Sequence, residues 1–134
     1  MALAYAMKAE ENDYRLQHYP ILKKWTTYLV QDALYPASQI STDDFAGLMA
    51  NQTNLALKGI IGIQAMAVIS DRTAHPNDAS KYLGVAEDYI AKWQTLSIAH
   101  NTNTPHTMLS YGANEAMVGS LRKACMCLQD VHQG

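Results

Sequence analysis

The chain has 134 residues and a mass of 14.8 kDa, which is the size of one domain. Hydrophobic residues make up 49% and charged residues 16%, a balance that favours a globular protein over a disordered one. The net charge of −2, with scattered lysines and arginines, excludes a basic footprint for nucleic acid or an anionic membrane. We predict no membrane span, because no uninterrupted apolar run reaches ~18 residues.

The start of the chain, MALAYAMKAE, is apolar and then charged. It lacks the basic leading region and the cleavage site of a secretion signal, so we predict no signal peptide within it. Residues 1–8 are apolar without a preceding cap, which is typical of a buried helix.

An amphipathic helix is predicted over residues 20–33, with Pro20 in its first turn, where a missing N–H does no harm. It ends before Pro36. Its apolar residues fall on one helical stripe: Ile21, Leu22, Trp25, Tyr28 and Leu29.

The next predicted helix, residues 53–71, is apolar on almost every side and is therefore expected to be buried all round. Only Lys58 and Gln64 interrupt it. Gly59 and Gly62 cost on the order of 1 kcal/mol each against alanine, so we expect close approach of another helix there. Either Asn51 or Thr53 is a candidate N-cap.

A second amphipathic helix is predicted over residues 77–97, with Asn77 or Asp78 as its cap. The tail carries a weaker apolar stripe that we interpret as a further helix. The predicted buried stripe of the 77–97 helix is Tyr82, Ala86, Tyr89, Ile90, Trp93 and Leu96. The stripe of the tail is Met117, Leu121, Ala124, Leu128 and Val131.

Buried and amphipathic helices thus alternate along the chain, and no strand pattern competes with them. The alternation predicts a single all-α domain, residues 1–134, of about four to five helices. Its antiparallel hairpins would form a partial, two-layer (α/α)-toroid-like arrangement. A plain four-helix bundle is the alternative, but it would need four amphipathic helices.

Metal and cofactor chemistry find little support in the sequence. No two of the five histidines share a helical spacing with a carboxylate in the form of a metal site, and we predict no metal and no cofactor. Cys125 and Cys127 are one residue apart, which is weak evidence for a metal and strained for a disulfide, so two free thiols are the better interpretation. The redox compartment stays open.

Several segments resemble the C-terminal helical part of the fungal glutaminase A family: HYPILKKWTTYLV, ISTDDFAG, ANQTNLALKGIIGIQAMA, AEDYIAKWQTLSIAH and PHTMLSYGAN. The resemblance covers residues 1–115, and residues 116–134 diverge from the family pattern. It implies a fragment of a large secreted, extracellular protein with an (α/α)-toroid. It also implies hydrolysis of L-glutamine to L-glutamate and ammonia, with a small-molecule amide as substrate.

The loops at residues 37–52 and 99–113 would enter successive inner helices, so by analogy with toroids we expect both at one mouth. The resemblance makes Asp43 and Asp44 the catalytic candidates, since amide hydrolysis needs an acid and a base; helix capping is the alternative. We assign substrate-binding roles to the polar side chains of both loops: Asn51, Gln52, Asn54, His106 and Tyr111. Asn51 also opens the chain's one glycosylation sequon.

The sequence leaves two functional hypotheses, one for an enzyme and one for a binding protein. The first is part of a glutaminase-like enzyme that we do not expect to be active as an isolated chain, because an active site in a toroid draws on several helix entries. The second is a non-catalytic secreted binding or effector-type protein that acts through surface recognition. Either way, apolar surface on residues 1–8 and 53–71 predicts a homodimer through those segments.

Overall fold

The computed structural model describes residues 12–40, 47–99 and 104–112. Its helices are α1 (Asn12–Asp32), α2 (Thr53–Arg72) and α3 (Pro76–Ser97). The prediction of an all-α chain is confirmed. The helices predicted for residues 1–8 and for the tail lie outside the described residues.

The described residues also contain four strands of two residues each, two in the loop between α1 and α2 and two after α3. They are β1 (Gln39–Ile40), β2 (Leu48–Met49), β3 (Ile98–Ala99) and β4 (His106–Thr107). β1 pairs antiparallel with β2, and β3 pairs antiparallel with β4. Strands this short have no alternating pattern to detect, which is why the sequence did not predict them.

The helix α1 begins eight residues before the predicted start, so the placement of Pro20 in a first turn was wrong. Pro20 lies inside the helix, where its ring nitrogen cannot donate to the carbonyl of Leu16. Both residues are exposed, so water can hydrogen-bond this carbonyl. The helix therefore tolerates a proline that the sequence pattern took for a boundary.

The apolar stripe predicted for this helix divides between two surfaces. Leu22 and Leu29 pack against the core, but Ile21, Trp25 and Tyr28 are 44%, 60% and 63% exposed. The buried face is set instead by the direction from which α2 packs. That direction depends on tertiary contacts, which helical spacing alone does not reveal.

The helix α2 lies centrally and runs antiparallel to both neighbours. Tyr19 of α1 contacts Ser70 near the end of α2, whereas Ala33 lies beside Gly59 near its start. A Cβ on Gly62 would lie 2.9 Å from Leu29 Cδ1, so both glycines allow the close approach that the sequence predicted. Among the described helices, α2 alone is long and apolar enough to cross a membrane, but 67% of that window is buried, as in a core helix.

The helix α3 agrees with its predicted stripe. Tyr82, Ala86 and Trp93 are buried, and the other three stripe residues are partly buried. The charged residues that were predicted to lie off the stripe are exposed: Lys81, Glu87, Asp88 and Lys92. The predicted cap was wrong, because the helix begins at Pro76. Asp78 lies in the first turn, where its carboxylate accepts hydrogen bonds from α1 rather than capping α3.

The core has two parts that follow the length of α2. One contains Tyr19, Ala33, Met66 and Tyr82, where all three helices meet. The other contains Leu57, Ile60 and Trp93 near the start of α2. Tyr111 packs against this second part, so the core supports the loops at this end of the helices.

Candidate functional site

The described parts of the two candidate loops meet where α2 begins. Gln52 and Ser110 form an antiparallel β-bridge. The N–H of Tyr111 donates to the Asn51 carbonyl at 3.1 Å, and the N–H of Thr53 donates to the Leu109 carbonyl at 3.1 Å. Residues 47–52 and 104–112 therefore lie at one end of the helices, as the loop argument predicts.

Thr53 anchors this junction. Its hydroxyl donates to the Met108 carbonyl and, at 3.1 Å, to the Leu109 carbonyl. The indole N–H of Trp93 donates to the Thr53 carbonyl at 2.9 Å. Thr53 is not the N-cap considered from the sequence, since Gln52 occupies that position and Thr53 is the first residue of the helix.

Gln52 occupies the N-cap position of α2, although its side chain makes no capping hydrogen bond. Gln52 as a whole residue is 2% exposed, and its Nε2 donates to the Gln39 carbonyl at 3.0 Å and the Met49 carbonyl at 3.1 Å. These bonds fix the β1–β2 pair against the helix start. Both amide hydrogens are thus committed to the protein, and Oε1 is the part of the amide left for other partners.

Asn51 has a φ of 54°, in the left-handed region that asparagine tolerates better than most residues. It is half-buried, and its N–H donates to the Pro36 carbonyl at 2.9 Å. Asn51 is therefore not the N-cap, and its use as a glycosylation site stays a prediction. Asn54 is half-buried in the first turn of α2. Asp43 and Asp44 lie outside the described residues.

His106 and Tyr111 are both half-buried in the second loop. His106 Nδ1 lies 3.2 Å from the Thr104 carbonyl, so the proton belongs on Nδ1 when the ring is neutral. The ring of Tyr111 meets that of Tyr35 edge to face, with centroids 6.1 Å apart. Burial, and then the neighbouring Tyr35, raise the pKa of the Tyr111 hydroxyl, which stays protonated and able to donate.

Two polar atoms of this loop are buried without a hydrogen-bond partner in the part of the chain that the structure describes. They are His106 Nε2 and the Tyr111 hydroxyl. A buried polar group that lacks a partner costs about 1–3 kcal/mol, so such groups are normally matched by a ligand, water or another chain segment. These two atoms are therefore candidates for contact with a polar ligand, a water molecule or another chain segment.

A cavity of about 390 Å³ lies between α1, the turn that follows it and the start of α2. Its charged lining residues are Asp32 and Lys58, which sequence reasoning did not select. The only feature of the sequence that pointed to this cavity was Lys58, an isolated lysine in an otherwise apolar helix. The remaining lining residues are Tyr28, Leu29, Ala33, Pro36, Ala37, Ser38, Gln39, Leu55 and Gly59.

No group of three histidine, cysteine, aspartate or glutamate side chains within residues 12–40, 47–99 and 104–112 is placed to hold a metal ion. The polar groups that gather at the loop junction are amides, hydroxyls and one imidazole. Such groups bind and orient a polar organic ligand by hydrogen bonds.

These features define an all-α helical-hairpin protein with polar side chains collected at the loop end of its helices. The sequence defines the family: residues 1–120 match the sequence model of the family described as "Glutaminase A six helical-hairpin domain". The chain therefore belongs to that family. This confirms the resemblance seen in the sequence.

Two curated relatives carry related names. The chain is 75% identical over 115 residues to "Glutaminase A" of Aspergillus oryzae, a match that covers 86% of this chain and 17% of the relative. It is 42% identical over 106 residues to "Probable glutaminase" of Arthroderma benhamiae, a match that covers 79% of this chain and 12% of that relative. The chain therefore spans less than a fifth of either relative. No solved structure matches it.

Proposed function

We propose that this chain forms part of a secreted glutaminase-type amidohydrolase, which converts L-glutamine to L-glutamate and ammonia. The observation that carries this proposal is the 75% identity to a protein named Glutaminase A over 115 residues. The isolated chain is proposed to be inactive, because the match spans 17% of that relative and an active site built from several helix entries would be incomplete.

The chemistry assigns separate tasks to the two loops. Amide hydrolysis needs one group that activates water and one that protonates the departing ammonia. Asp43 and Asp44 are proposed for these proton transfers. The Tyr111 hydroxyl, which burial keeps protonated, is proposed to donate a hydrogen bond to the substrate, with His106 Nε2 as a second polar contact.

Ammonia release from L-glutamine tests this proposal on three proteins. They are the isolated chain, the Aspergillus oryzae relative, and a chimera of that relative in which residues 1–115 of this chain replace the matching segment. We expect the chimera to be active and the isolated chain to be inactive. A folded but inactive chimera would contradict the enzymatic role, and activity of the isolated chain at the level of the relative would contradict the need for the missing segments.

A further inference from the structure

The cavity between α1 and α2 is lined by one side chain of each charge. Asp32 comes from the last residue of α1, and Lys58 comes from the second turn of α2. The ion pairs between described residues join Lys23 to Asp78 and Lys92 to Asp88, so Asp32 and Lys58 do not pair with each other or with another described residue. Two opposite charges thus line one cavity and stay separate.

Asp32 is not where helix stability would place a charge. A carboxylate at the end of a helix faces the negative pole of the helix dipole, and α1 has no basic residue in its last turn to offset it. Lys58 lies in the second turn of α2, beyond the first turn over which the helix dipole acts, and it is a charged residue in a mostly apolar helix. Charges placed against local preference are often retained for binding.

The other lining residues complete a site for a small zwitterion. Tyr28 lies one helical turn before Asp32, so a phenol ring and a carboxylate occupy the same side of the cavity. This combination attracts an ammonium group through its charge and through the aromatic ring. Ser38 and Gln39 add hydrogen-bonding groups, and Leu29 and Leu55 add apolar wall. The volume of about 390 Å³ is within the usual range for small-ligand sites.

We infer that this cavity binds a free α-amino acid, with its ammonium group at Asp32 and Tyr28 and its carboxylate at Lys58. The charge pattern supports an α-amino acid in general, whereas the choice of L-glutamine as the first ligand rests on the proposed function. The cavity adjoins the loop junction, because Gln39 lines the cavity and its carbonyl accepts a hydrogen bond from Gln52. An amino acid held here would therefore lie beside the candidate loops.

Calorimetric titration with L-glutamine tests the inference on the 134-residue chain, which is expected to bind this ligand without hydrolysing it. We expect saturable binding that weakens at least about tenfold in Asp32→Asn and in Lys58→Met, since each removes a charge-assisted contact. Lys24→Met and Asp71→Asn remove exposed charges outside the cavity and should bind as the unaltered protein does. Ala37→Trp, an exposed substitution at the cavity wall, should block binding without changing any charge.

Ligand analogues separate the two ends of the cavity. N-acetyl-L-glutamine lacks the ammonium group and L-glutamine amide lacks the α-carboxylate, so both should bind at least about tenfold more weakly. Binding of other α-amino acids without binding of L-glutamine would support the cavity site and reject L-glutamine as its ligand, whereas the proposed function is tested separately by ammonia release from the chimera. Absence of binding of any α-amino acid at millimolar concentration, or equal binding by Asp32→Asn, Lys58→Met and the unaltered protein, would overturn the inference.

Discussion

Gly59 of α2 lies so close to Ala33 that a Cβ on the glycine would be 2.6 Å from the alanine Cβ. Neither group is the end of a flexible side chain, so the helix and the following turn would have to separate. The contact lets α2 approach the end of α1, where the cavity and the loop junction are built. Gly59 therefore contributes to the position of the candidate site as well as to packing.

We expect Gly59→Ala to lower the free energy of unfolding by roughly 1–3 kcal/mol, because overpacking outweighs the better helix propensity of alanine. Gly84 is the matched control: it lies in α3, and a Cβ there would meet nothing within 4 Å. Gly84→Ala should stabilise the chain by about 0.5–1 kcal/mol. Urea denaturation measures both, and equal stabilisation by the two substitutions would contradict the close contact.

A network of hydrogen-bonded side chains joins the three helices at the end opposite the loops. The Tyr19 hydroxyl donates to Asp78 at 2.7 Å and lies 3.0 Å from Ser70 Oγ, while Lys23 donates to Asp78 at 2.6 Å. We expect Tyr19→Phe to cost about 1–2 kcal/mol, because it leaves buried polar groups with fewer partners. Tyr28→Phe removes an exposed hydroxyl and should change stability by less than about 0.5 kcal/mol. Thermal unfolding compares them, and equal effects would rule out the network.

The same hydrogen-bonded network makes the free energy of unfolding depend on pH at both acid and alkaline pH. The hydrogen bonds from Lys23 and then Tyr19 lower the pKa of Asp78 from its ordinary 3.8, so its contribution is present above that value and is lost as pH falls through the folded pKa. Burial raises the pKa of Tyr19 from 10.0 to about 12, so stability is lost as pH rises between those values. Asp78→Asn should flatten the acid limb of a stability–pH curve, and Tyr19→Phe should flatten the alkaline limb. Unchanged limbs would contradict this assignment.

Thr53 should be the residue on which the loop junction depends most. Thr53→Val keeps the shape but removes the donor to the Met108 and Leu109 carbonyls, at an expected cost of about 1–3 kcal/mol. Thr53→Ser should retain most of the stability. Thr27→Val is the matched control, since the exposed Thr27 hydroxyl donates only to the Lys23 carbonyl of its own helix. Hydrogen exchange of the Thr53 and Tyr111 amides should accelerate in Thr53→Val alone; protection like that of the unaltered chain would contradict the anchoring role.

Self-association through residues 1–8 and 53–71 stays a prediction. The first segment lies outside the described residues, and much of α2 is buried within the chain. We expect a dimer at micromolar concentration in sedimentation experiments. Trp25→Lys alters the exposed face of α1 and should leave this dimer intact. A monomeric unaltered chain would contradict the prediction. If Trp25→Lys dissociates the dimer, the interface includes the exposed face of α1 and the predicted segments are wrong.

The sequence predicts the fold best where local pattern and tertiary packing agree. The stripe of α3 and the close approach at Gly59 and Gly62 were both predicted, since burial on one face and missing side chains have direct signatures. The start of α1 and its buried face were not. Pro20 looks like a boundary locally, and only the packing direction of α2 decides that Trp25 faces away from it.

The candidate site was predictable in part for the same reason. Alternation of helices places the two loops at one end, and their polar residues follow from composition. The cavity could not be predicted, because Asp32 and Lys58 belong to separate helices and each is an ordinary charged residue in its own segment. The buried role of the Gln52 side chain also required the positions of the Gln39 and Met49 carbonyls.

Steady-state hydrolysis of L-glutamine by the chimera tests most directly whether this chain contributes catalytic groups to a glutaminase. Asp43→Asn and Asp44→Asn are compared with Asp88→Asn, which alters an exposed carboxylate on α3. Loss of a proton-transfer group should lower kcat by a factor on the order of 10² or more in at least one of the first two variants, with Asp88→Asn unchanged. Full activity in both Asp43→Asn and Asp44→Asn would contradict the claim that this loop carries the chemistry.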